Sequence, residues 1–93
     1  MTKYGYVRGR TPDQSTIQHE VLTECGMEFD GGIVVDAPWS DFFSTLKAGD
    51  EVVVVAESRL GATMDERQAR KEMLELIGVN LTSLTRDFEK DQL

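Results

Sequence analysis

The sequence predicts an α/β domain: a mainly parallel four-stranded sheet with helices on both faces, giving three layers. Three observations predict it. Residues 51–56, Glu51-Val52-Val53-Val54-Val55-Ala56, form a continuous β-branched run, as in a central parallel strand buried on both sides. Strand-like and helix-like stretches alternate in the order β-α-β-α-β-α-β, which implies parallel pairing with crossover helices. Two helix-start signals, Thr11-Pro12-Asp13-Gln14 and Thr63-Met64-Asp65-Glu66, punctuate that alternation.

Each element has its own local reason. Tyr4-Gly5-Tyr6-Val7-Arg8 reads as the first strand. Thr11 then caps a helix, Pro12 fits its first position, and Gln14 completes a capping box. Ile17, Val21 and Cys25 recur every four residues with Leu22 beside them, which predicts one apolar stripe, and Gly26 is the stop. After a turn at Asp30-Gly31, residues 32–35 form a short apolar strand. Trp39, Phe42, Phe43 and Leu46 have the i, i+3, i+4, i+7 spacing of a helix burying an aromatic face, with Trp39 the member most open to solvent. Gly49-Asp50 ends that helix ahead of the central strand. A helix over 64–77 places Ala69, Met73, Leu74 and Ile77 on one side, Gly78 stops it, and 79–84 is the last strand. The expected domain is 1–85, followed by a polar tail at 86–93.

Composition bounds the function. Ninety-three residues make one domain, and 40% hydrophobic content allows a modest core. No apolar run approaches the roughly 20 residues that span a bilayer, so no membrane association is expected. Met1-Thr2-Lys3 leads straight into strand-like sequence, so no signal peptide is expected. The single cysteine, Cys25, excludes an internal disulfide and suits the cytoplasm, the expected location. A net charge of −7 argues against nonspecific DNA binding, which needs clustered Lys and Arg, and favours a protein partner. His19 stands alone without ligand-spaced companions, so neither a metal nor a cofactor is expected.

In open parallel sheets, ligands bind beyond the carboxyl ends of the strands. Two loops meet there: Arg8 to Asp13 and Glu57 to Gly61. Together they resemble the amino-terminal catalytic domain of the serine recombinases, the resolvase and invertase family. That family opens with a strand reading Y-x-R-V-S-T and a helix with an early glutamine. Here the match is Tyr6-Val7-Arg8-Gly9-Arg10-Thr11 and then Gln14. The family's third strand runs into D-R-L-G-R, matched by Ser58-Arg59-Leu60-Gly61-Ala62. Before that strand the family has an amphipathic helix ending in G-D, matched by Leu46-Lys47-Ala48-Gly49-Asp50.

The departures carry the functional expectation. By resemblance, the family's serine attacks a DNA phosphodiester, and its position is Arg10. Arginine offers no nucleophilic oxygen and stays protonated. The motif aspartate is Ser58, its last arginine is Ala62, and a further family arginine aligns near Asp36. The chain is therefore expected to be catalytically inactive, with Arg8, Arg10, Gln14, Ser58 and Arg59 as a remnant anion site. Three readings of the arginines stand side by side. They hold an anion near two helix N-termini, they serve as loop scaffolding, or Arg10 pairs with Glu57 and closes the former site. Asp65 to Glu72 reads as a solvated helix face with pairs such as Glu66 with Arg70.

The leading expectation is a resolvase-like regulatory module of a phage or other mobile element. It would act by protein–protein contact on a nucleic-acid-binding protein. The alternative is a small anion- or nucleotide-binding module. A homodimer through an exposed edge strand or the tail is a further expectation.

Overall fold

The computed structural model describes residues 1–84. The expected tail at 86–93 and the expected boundary at residue 85 lie outside them. In chain order the elements are β1 (Lys3–Val7), α1 (Pro12–Glu24), β2 (Ile33–Val35), α2 (Trp39–Ser44), β3 (Glu51–Val54), a 3₁₀ turn (Glu57–Arg59), α3 (Met64–Leu76) and β4 (Asn80–Ser83). All expected strands and helices are present. Their ends differ by a few residues: β1 stops before Arg8, and α2 stops two residues before Leu46.

The four strands form one sheet in the order β2-β1-β3-β4, with every neighbouring pair parallel. Ile33, Gly5, Val53 and Thr82 form one row across it. Because all four strands run the same way, the segments after β1, β2 and β3 leave at the same edge. The crossover helices make this possible, since parallel neighbours cannot be joined by tight turns.

Side chains alternate through the sheet and divide the core in two. Tyr6, Val52 and Val54 pack with Phe42, Leu46, Leu60, Leu74 and Val79. Val7, Val53 and Val55 pack with Leu22, flanked by Val21, Met27, Phe29 and Ile33. One cluster thus takes α2 and α3 and the other takes α1, consistent with the three-layer expectation. Gly5 sits where Leu22 and Ile33 close in. A Cβ there would lie 3.1 Å from each.

Two helix faces differ from expectation. On α1 the buried residues are Ser15, Gln18 and Leu22, and Ile17 is half exposed. The helix is rotated so that Gln18 reaches the backbone of Arg8, a demand that apolar spacing does not register. On α3, Leu74 is buried but Ala69 is exposed, and Arg70 turns inward over the Trp39 ring at 5.0 Å. Among the described residues, no helix is long and apolar enough to cross a membrane.

Candidate functional site

The loop after β1 is held by three side chains. Gln18 Oε1 accepts from Arg8 N at 3.2 Å, and Gln18 Nε2 donates to Arg8 O at 2.8 Å. Asp36 Oδ1 accepts from Gly9 N at 3.0 Å, and Gln14 Oε1 accepts from Arg10 N at 2.8 Å. Three successive backbone N–H groups are therefore already engaged. Asp36 also accepts from Ser15 Oγ at 2.6 Å, which ties the end of β2 to the first turn of α1. Its φ of 54° is the left-handed conformation that aspartate tolerates better than most residues. Gly9 is fitted tightly here: a Cβ would lie 2.6 Å from Ser15 Oγ.

The starts of α1 and α3 are each capped by their own side chains. Thr11 Oγ1 accepts from Gln14 N, and Thr63 Oγ1 accepts from Glu66 N. The returning bonds of both capping boxes go one residue further upstream than expected. Gln14 reaches Arg10 N, and Glu66 Oε1 accepts from Ala62 N at 2.8 Å. That bond, followed by Arg70 nearby, holds the Glu66 carboxyl below its usual range. Capping thus engages one N–H in each first turn and one just upstream of each helix.

Guanidiniums gather at the same edge. Arg59 follows β3 across the sheet edge from Arg8 and Arg10. Arg67 Nε donates to Gly61 O at 3.1 Å, and Arg70 Nη1 donates to Leu60 O at 2.8 Å, so both lean over the turn that carries Arg59. Burial lowers the affinity of the Arg59 guanidinium for its proton, and the positive charges of Arg10, Arg67 and Arg8 lower it further. Among the described residues, none of Arg8, Arg10, Arg59 and Arg67 forms an ion pair with a carboxylate. Arg70 does, with Glu66 at 3.5 Å, as the i,i+4 spacing predicts.

Ser58 Oγ and Arg59 Nε are buried without a hydrogen-bond partner, and so is Trp39 Nε1. Buried donors normally find acceptors, which sets these three atoms apart from the other buried polar groups of the described residues. A shallow groove of about 280 Å³ opens alongside, lined by Arg8, Gly9, Asp36, Ala37 and Pro38.

The expected Arg10–Glu57 pair is not among the ion pairs of the described residues. Glu57 is held by Lys71, with Nζ 2.7 Å from Oε1. The reason is the 3₁₀ turn. With about three residues per turn, Glu57 and Arg59 project to different sides. Glu57 faces a groove with Lys71, Leu74 and Val79, on the α3–β4 side. Arg59 faces the arginines instead.

Ser58 Oγ has no base beside it, and Ser15 donates to a carboxylate already committed to the loop. Among the described residues, no group of three His, Cys, Asp or Glu side chains is placed to hold a metal ion. Of the expected site residues, Arg8, Arg10, Ser58 and Arg59 gather at one edge, while Gln14 acts as a loop staple. Arg67, Asp36 and Gln18 are the residues sequence reasoning missed. Arg67 had one available signal, a position one turn into the helix that follows the Arg59 loop. No family model matches the chain, and none of the curated proteins matches it.

Proposed function

We propose that the chain is a non-catalytic, resolvase-like α/β module that acts by binding, and that the arginine-rich edge of its sheet takes a phosphate-bearing anion. The observation that carries this reading is the grouping of Arg8, Arg10, Arg59 and Arg67 with no carboxylate at ion-pairing distance among the described residues. Like charges brought together and partly desolvated raise the free energy of the empty site, and a bound anion relieves it. Guanidinium forks also match phosphate oxygens in geometry. Arg10, at the position that corresponds to the family's serine, adds charge where a nucleophile would act.

The test has two arms. Titration with inorganic phosphate and short oligonucleotides at low salt is expected to saturate, and the purified protein is expected to leave supercoiled DNA intact. Absence of saturable binding defeats the anion site. Cleavage or joining of DNA defeats the non-catalytic reading.

A second reading, favoured by the net charge of −7, is a regulator of a mobile element that engages a basic, nucleic-acid-binding protein. Affinity capture from the native host tests it: recovery of a specific basic partner supports it, and recovery of nothing specific counts against it.

A further inference from the structure

We propose that the anion taken at this edge is the terminal phosphate of a small phosphomonoester, a dianion, and not the diester of a continuous nucleic-acid strand. This rests on the anion-site reading above and narrows its ligand class.

Charge balance points to a dianion. Arg8, Arg10, Arg59, Arg67 and Arg70 meet here, and the acidic groups acting at the same place are Asp36 and Glu66. Glu66 is taken up by Arg70 and Ala62 N, and Asp36 by Gly9 N and Ser15 Oγ. The excess is positive by several charges. A diester supplies one negative charge, whereas a terminal phosphate carries about −1.5 to −2 at neutral pH.

Donor geometry points the same way. The backbone N–H groups of Arg8, Gly9 and Arg10 are engaged, so in this loop recognition falls to the guanidinium forks, and Arg59 Nε beneath them has no acceptor of its own. A terminal phosphate presents three acceptor oxygens to such a set. A diester presents two and carries a chain onward from each side.

The charge balance of the rest of the chain disfavours that strand. Five of the ten basic residues and two of the seventeen acidic ones gather at this edge, leaving five basic against fifteen acidic residues in the rest of the sequence. By that balance a long polyanion meets net repulsion beyond the site, whereas a small ligand stays within the screened reach of the arginines. The groove lined by Arg8, Gly9, Asp36, Ala37 and Pro38 offers its uncharged part a place, with Asp36 already engaged by Gly9 N and Ser15 Oγ.

Isothermal titration with a dinucleotide, the same dinucleotide carrying a 5′-phosphate, and inorganic phosphate tests this directly. The phosphorylated dinucleotide is expected to bind at least about tenfold tighter than its unphosphorylated twin, the scale of one added set of charge-assisted bonds. That advantage is expected to shrink below the second phosphate pKa, near 6. Arg10→Ala, a change at an exposed side chain, is expected to remove most of the advantage while circular dichroism shows an unchanged fold. Equal binding of the two dinucleotides overturns the dianion inference and leaves an anion site standing. An advantage untouched by Arg10→Ala overturns the assignment to this edge. No binding of any probe overturns the anion-site reading with it.

Discussion

Asp50 shows what one side chain contributes. It is buried, accepts from Thr2 N at 2.9 Å and from Lys47 N at 2.9 Å, and so joins the start of β1 to the turn before β3. Those two N–H bonds, Thr2 first, hold its carboxyl below the ordinary aspartate value. A depressed carboxyl contributes stability above the unfolded value of about 3.9 and loses it as pH falls through the lower folded value. Asp50→Asn is therefore expected to be clearly less stable than the parent at neutral pH, with the gap narrowing as acid protonates the parent. Urea unfolding across that range checks it, and a gap constant with pH would refute it. Gly9 makes a steric case. A methyl group on its Cα would sit 2.6 Å from Ser15 Oγ, so Gly9→Ala is expected to cost about 1–3 kcal/mol and to disturb the Arg10 loop.

At the scale of the element, α1 is the instructive one. Apolar spacing points to Ile17, Val21 and Cys25 facing inward, yet Ser15, Gln18 and Leu22 are the buried residues. A helix beside a strand end must satisfy the backbone that leaves the sheet, and Gln18 does this for both polar groups of Arg8. Gln18→Leu keeps the volume and abandons both groups, so a loss of about 2–6 kcal/mol is expected, at roughly 1–3 kcal/mol for each unmet group. Ile17→Ala, at a half-exposed position, is expected to cost under about 1 kcal/mol. Chemical denaturation of the pair decides between the faces, because the reverse order would mean that α1 packs as its apolar residues alone suggest. The strand Glu51–Val54, by contrast, was legible at once, since a β-branched run buried on both faces has no other ready interpretation in so short a segment.

For the whole molecule, the distribution of charge matters more than its sum. A chain of net −7 is expected to avoid anions, yet half its basic residues gather at one sheet edge. If they bind phosphate, the folded state gains stability by mass action, about 2.7 kcal/mol at a hundredfold excess over Kd. For a domain of this size that corresponds to a rise in Tm of roughly 10 °C or more. Thermal melts in phosphate and in chloride at matched ionic strength check this, and equal midpoints would show only general screening. Arg10→Ala is expected to leave the unliganded protein within about 0.5 kcal/mol of the parent, because the side chain is exposed and its neighbours repel it.

Local chemistry in the sequence determined the element order, the parallel sheet and two loops meeting at one edge. Gly and Pro positions, capping residues and β-branched runs act over a few residues and are visible there. The tertiary structure decided what depends on distant partners. Glu57 turned to Lys71 and away from Arg10, because a 3₁₀ turn separates it from Arg59. Arg67 and Arg70 left a face that reads as solvated and leaned over the Arg59 turn, because Gly61 and Leu60 present carbonyls there. Gln18 and Asp36 became scaffold because the β1–α1 loop needed acceptors. Burial of an apolar side chain can be read from spacing, but burial of a polar one depends on a partner that only the folded chain brings within reach.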